Sequence, residues 1–164
     1  MSVTLDKLIE SLRNELQQYG EMLALLEQQQ ELVLQQRTDD ILQSLSAVDV
    51  QSAAIEAARA NRQLAQRNLS ERLERSREST FAQLIPLISE PYRPLVTALV
   101  QENNELLLRV RQRAQQSHLL LTRSLEKMQR FITNLPSETT LLTRREQSRV
   151  AVVEPESPLY EAIV

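Results

Sequence analysis

The sequence predicts an all-α protein: a long antiparallel helical hairpin followed by a long C-terminal helix, an elongated bundle, with a mobile C-terminal tail. Three observations predict it. The 164 residues include one glycine and only 3% aromatics, too few for the positive-φ turns and the Val-, Ile-, Tyr- and Phe-rich strands of a sandwich, barrel or doubly wound sheet. Apolar residues recur every three or four positions along extended stretches. Capping residues and prolines punctuate those stretches where helices must stop.

In the first stretch Leu5, Leu8, Leu12, Leu16, Tyr19, Leu23, Leu26 and Val33 share a helical face, predicting a helix over about residues 4–36. At 1.5 Å per residue it spans roughly 50 Å, the length of a bundle arm. Leu5, Leu12, Tyr19, Leu26 and Val33 repeat at seven, which favours a shallow left-handed crossing. Gly20 lies inside this helix, where it costs about 1 kcal/mol relative to alanine. Simple tolerance explains it more economically than a close helix contact.

Thr38, Asp39 and Asp40 are good N-cap types, and a second helix starts near Asp39. Its apolar period runs through Ile41, Leu42, Leu45, Val48 and Ile55, then past Leu64 and Leu69 to Leu73. Ser79 and Thr80 suit the cap of a short helical piece from Phe81 to Ile88, made irregular by Pro86. Pro91 and Pro94 break the chain, and Pro94 then suits the first turn of a last helix. That helix carries Leu95, Leu99, Leu106, Val110, Ala114, Leu121, Leu125, Met128, Ile132 and Leu135 on one stripe. Pro136 and Ser137 end it. The domain plan is a helical bundle over residues 1–135 and a flexible tail over 136–164, with short apolar docking segments at Leu141, Val150 to Val153 and Leu159 to Val164.

Residues 1–58 hold 10 acids and 3 bases, and residues 59–113 hold 6 acids and 10 bases. An antiparallel bundle with complementary flanks shows this pattern, although solvated helix faces explain most of it. The net charge is −3. No apolar run approaches the roughly 18 residues of a membrane span and no signal peptide is apparent, so a soluble cytoplasmic protein is expected, without membrane insertion.

The residue types of common active sites are missing. There is no cysteine and one histidine, His118, whose surroundings lack the Glu-x-x-His pairing of a di-iron bundle. One glycine excludes a phosphate-binding loop. Asp39 and Asp40 are explained by the helix start they occupy. No enzymatic activity, metal or cofactor is expected. Arg59, Arg62, Arg67, Arg72, Arg75 and Arg77 are interleaved with Glu71, Glu74 and Glu78 and lack aromatic stacking partners, which argues against nucleic acid.

Amphipathic helices remain as the functional material. The stripe of the last helix serves either as bundle core or as a groove for another protein's helix, and core accounts for most of it. Leu107 and Leu108 beside Leu106, and Leu119 and Leu120 beside Leu121, make it wider than one core face requires.

The order of features over residues 5–135 resembles the FlgN-type flagellar export chaperones. It comprises Leu23, Leu25, Leu26 and Glu27 leading to Glu31, Leu32 and Val33; the restart at Asp39, Asp40, Ile41 and Leu42; Arg62 late in the second helix; and Q-E-N-N-E-L-L from Gln101 to Leu107. The resemblance implies a type III export chaperone that binds the hook-filament junction proteins FlgK and FlgL in the cytosol, prevents their aggregation or premature assembly, and delivers them to the export-gate protein FlhA. It places client capture on the C-terminal helix, for which Leu106, Leu107, Val110, Leu121, Leu125 and Met128 are the candidates. It also places gate docking on a C-terminal tyrosine, for which Tyr160 is the candidate by position. The competing class is a coiled-coil scaffold or adaptor without a secreted client, distinguished by a concentration-dependent oligomer.

Overall fold

Seven-residue spacing decides which face of each helix is buried. The computed structural model describes residues 2–134. Its elements are α1 (Ser2–Leu34), α2 (Thr38–Arg72), α3 (Phe81–Leu84), which runs into a 3-10 turn (Ile85–Leu87), and α4 (Arg93–Thr133). There is no strand among the described residues. Leu135, the tail with its expected docking segments, and the boundary between bundle and tail lie outside the described residues.

On α1, Leu5, Leu12, Tyr19, Leu26 and Val33 are buried as the heptad predicts. A second buried series at the same spacing is Leu8, Glu15, Met22 and Gln29. Together they form the two-position seam of a coiled-coil-like contact. On α2 the series is Ile41, Val48, Ile55, Arg62 and Leu69, with Val48 partly and the others fully buried. Leu42 and Leu64, expected on the apolar face, are 61% and 58% exposed. The register that buries Ile55 and Leu69 turns them to solvent and brings Arg59 and Arg62 inward instead.

The buried face of α4 is turned by about one position from the expected stripe. Val96, Asn103, Val110 and Ser117 form one buried series and Val100 and Leu107 another, whereas Leu95 stays 37% exposed and Leu106 is partly buried. Arg93 anchors the first turn: its Nη2 donates to the carbonyls of Pro86 and Ile88, both at 3.1 Å. That clamp fixes the rotation with which α4 enters the bundle.

Cross-helix bonds set direction and register. Arg62 reaches Glu15 and Gln51 reaches Gln18, so α1 and α2 run antiparallel. Asn103 reaches the Leu12 carbonyl and Ser117 reaches Gln29, so α4 runs parallel to α1. The central helix is α1, packed along both α2 and α4. Two core clusters follow. One joins Leu5, Leu8, Leu12, Leu69, Phe81, Val96 and Leu99 around α3, and the other joins Tyr19, Met22, Leu26, Ile55, Leu107 and Val110. Each fully buried large side chain contributes about 1.5–3 kcal/mol by leaving water.

Two tight helix ends are built without glycine. At the end of α1 the amides of Gln36 and Arg37 donate to the carbonyls of Val33 and Leu32, and Gln36 sits at φ 57°. At the end of α2 the amides of Glu74 and Arg75 donate to Glu71 and Ser70, with Glu74 at φ 55°. Both are Schellman turns, whose left-handed position ordinarily favours glycine. The expected caps at Thr38 and Asp39 are not formed: the short turn makes Arg37 the N-cap, without a side-chain capping bond. Asp39 and Asp40 lie in the first turn, where the helix dipole favours acids, and Asp40 pairs with Arg37 at 2.7 Å. Thr80 does begin α3, its amide donating to Gln83 Oε1 at 3.0 Å.

Candidate functional site

Polar side chains at heptad core positions hold the bundle in register. Glu15 is fully buried; its Oε2 accepts from Arg62 Nε at 2.9 Å and its Oε1 accepts from the Tyr19 hydroxyl at 2.8 Å. Arg62 also donates to Gln66 Oε1 at 3.1 Å, and its guanidinium lies 6.0 Å from the centroid of the Phe81 ring. Gln66 donates onward to the Ser79 carbonyl at 2.8 Å, tying the approach to α3 to the same network. Burial pushes the Tyr19 phenol well above its ordinary value, the Glu15 charge and hydrogen bond add to the shift, and Arg59 and Arg62 oppose it. A second polar layer joins α1 to α4 through Asn103, whose Nδ2 donates to the carbonyls of Leu12 at 3.0 Å and Leu99 at 2.9 Å. A third is the Ser117 hydroxyl donating to Gln29 Oε1, flanked by Arg113 donating to Gln30 at 3.1 Å.

The described residues hold no group of three His, Cys, Asp or Glu side chains able to bind a metal, and His118 is exposed. No helix among them is long and apolar enough to cross a membrane.

The candidate client residues separate into two groups. Leu107 and Val110 are 5% and 0% exposed in the second core cluster, and Leu106 packs against it. They are occupied by Tyr19, Met22, Leu26 and Ile55 of the chain itself. Leu121, Leu125 and Met128 lie farther along α4 and are partly exposed. Because Gln29 stands opposite Ser117 and α1 stops at Leu34, the last ten or so residues of α4 run about 15 Å past α1. Leu121, level with Val33, and Met128, past the end of α1, continue the series Val100, Leu107 and Ala114 at seven-residue spacing, so the core stripe persists where its partner helix has ended. Around that end Leu34, Leu42, Leu119 and Phe131 are all more than half exposed. Tyr160 lies outside the described residues.

The model of the family described as FlgN protein matches residues 1–141. The chain belongs to the FlgN family. No curated protein and no solved structure matches it. FlgN membership makes this a flagellar export chaperone, and the helical architecture agrees with it. The Q-E-N-N-E-L-L segment that carries the FlgN resemblance also acquires a structural meaning: Asn103 and Leu107 are its buried members, one bonding to α1 and one packing against it.

Sequence reasoning passed over Glu15, Gln29, Arg62 and Ser117 as members of this site. The signal was present: each falls in step with apolar residues seven positions away, and a polar residue at such a position is a register-setting device in coiled coils. An apolar count discards that signal because it scores only the residues that obey it.

Proposed function

We propose that this FlgN-family chaperone binds the hook-filament junction proteins FlgK and FlgL in the cytosol, shields them from aggregation and premature assembly, and delivers them to the export-gate protein FlhA. The observation that carries the reading is the far end of α4, where the partly exposed Leu121 lies level with the last turn of α1 and Leu125 and Met128 lie beyond it. An amphipathic helix of the client laid on these residues buries the surface that α1 leaves uncovered. Leu106, Leu107 and Val110 then act as the rigid base of the site, held by α1 and α2, and not as its contact surface. Residues 1–135 serve as the folded body and 136–164 as a tail, with Tyr160 the candidate for docking at the gate.

The test is co-purification of FlgK or FlgL with a Leu121→Glu/Leu125→Glu variant. Both side chains are partly exposed, so the variant keeps its helical circular dichroism while client binding falls by tenfold or more, about 1.4 kcal/mol or above. Undiminished binding by the folded variant refutes the placement. The seven-residue series at the overhang also fits a coiled-coil scaffold, which would instead show a concentration-dependent oligomer and no selective client.

A further inference from the structure

The buried series Val96, Asn103, Val110 and Ser117 carries polar residues that tie α4 to α1: Asn103 donates to the Leu12 carbonyl and the Ser117 hydroxyl to Gln29 Oε1. Its next member at seven-residue spacing is Ser124. Counted on from the pairing of Gln29 with Ser117, the level of Ser124 on α1 is residue 36, where the helix has ended at Leu34 and the chain turns away with Gln36 at φ 57°. Ser124 thus stands at a polar layer whose other half is missing. Two further observations single it out. Over residues 118–133 the partly buried side chains are Leu120, Leu121, Ser124, Leu125, Met128 and Ile132, and every charged residue of that span is exposed, so Ser124 is the polar group on an apolar face. The other hydroxyls of α4 are all hydrogen-bonded, Thr97 to the Arg93 carbonyl, Ser117 to Gln29, Thr122 to the His118 carbonyl and Thr133 to the Gln129 carbonyl, whereas that of Ser124 has no partner among the described residues.

We propose that Ser124 is a positioning residue for the client: its hydroxyl pairs with an amide or hydroxyl side chain set within the apolar stripe of the client helix, as Ser117 pairs with Gln29. This rests on the docking of a client at the far end of α4 proposed above, and adds which level of the client helix is selected. An apolar stripe alone lets a partner helix slide by a turn at little cost. One polar residue in core register removes that freedom, because every other level leaves a buried polar group without a bond. A client helix lying where α1 stops seals the hydroxyl from water, which makes an unmatched one costly. A client whose stripe is wholly apolar leaves it unpaired and binds less well.

Threonine and valine share a shape and differ by the hydroxyl, so full chains carrying Ser124→Thr and Ser124→Val separate hydrogen bonding from packing. Because Ser124 makes no side-chain bond among the described residues, the two variants are expected to match each other in circular dichroism and denaturation midpoint. With FlgK or FlgL as the client, Ser124→Val is expected to bind at least about threefold more weakly than Ser124→Thr, the size of one net hydrogen bond. Equal affinities, or tighter binding by Ser124→Val, overturn the proposal, since a purely apolar site gains from the added methyl group. The partner is found by replacing Asn, Gln, Ser and Thr residues of the client with alanine. One position is expected to weaken binding to Ser124→Thr while leaving binding to Ser124→Val unchanged or stronger, and the absence of any such position overturns the pairing. The Leu121→Glu/Leu125→Glu chaperone tests the docking alone: if it loses the client while the Thr and Val chains bind alike, the docking stands and the role of Ser124 falls.

Discussion

Arg62 donates from Nε to Glu15 Oε2 at 2.9 Å, and the two side chains are 7% and 0% exposed. Positions 47 residues apart in sequence thus share a buried ion pair between α1 and α2. Burying such a pair is not in itself a large source of stability, since desolvation offsets much of the attraction, but leaving one partner alone is costly. Glu15→Ala and Arg62→Ala are each expected to lose about 3–5 kcal/mol in chemical denaturation, and Glu15→Leu/Arg62→Met to recover most of that loss. A double variant no more stable than either single one would show that the pair does more than satisfy two buried charges.

Tyr19 gives a pH signature. Its phenol ionises well above the ordinary value of 10.0 because burial and the Glu15 carboxylate disfavour a phenolate. The folded chain therefore keeps a proton that the unfolded chain loses, and stability is intact below about pH 10 and falls as the pH rises beyond it. In a phenolate absorbance titration, Tyr19 is expected to lag a free phenol until the protein unfolds. Tyr19→Phe should abolish the lag and cost about 1–3 kcal/mol, since Glu15 Oε1 loses its buried donor.

Asn103 tests the α1–α4 contact. Its Nδ2 lies between two carbonyl oxygens, while its Oδ1 is buried without a partner. Asn103→Ala removes the donor and the unpaired acceptor together and should cost about 1 kcal/mol. Asn103→Asp puts a carboxylate against the Leu12 and Leu99 carbonyls and should cost several times more in the same denaturation assay.

The backbone offers gains. No atom lies within 4 Å of a Cβ added at Gly20, and the residue is exposed, so Gly20→Ala should add about 1 kcal/mol by helix propensity. Gln36→Gly should add a similar amount, about 1 kcal/mol, by relieving the left-handed conformation. Thermal denaturation of the two variants and their combination checks both, with near-additive shifts expected because the sites share no partner.

Gly20 shows how far sequence reasoning reached, because a lone helical glycine with no close neighbour was readable from helix propensity alone. The helices themselves were equally plain: α1, α2 and α4 fall within a few residues of their predicted limits, and Pro94 stands in the first turn of α4 as expected. Local physics governs these features, through apolar spacing, proline geometry and the loss of amide donors. The scarcity of glycine misled in one respect. It suggested few tight turns, yet the chain places Gln36 and Glu74 in left-handed Schellman positions, where packing of the flanking helices outweighs a local cost of about 1–2 kcal/mol.

By itself the sequence determined that this chain is helical, where its long helices lie, and which family it resembles. Only the tertiary structure decided which side of each helix faces inward. Leu42 and Leu64 lost their expected places while Arg59, Arg62, Glu15 and Asn103 gained theirs, because burial depends on what another helix presents at the same height and not on a residue's own polarity. A buried charge is tolerable only opposite its complement, and that complement is 47 residues away. The separation of the α4 stripe into a filled part and an overhanging part has the same origin. Leu107 and Met128 fall in the same seven-residue series, and they differ in the fold because α1 stops at Leu34.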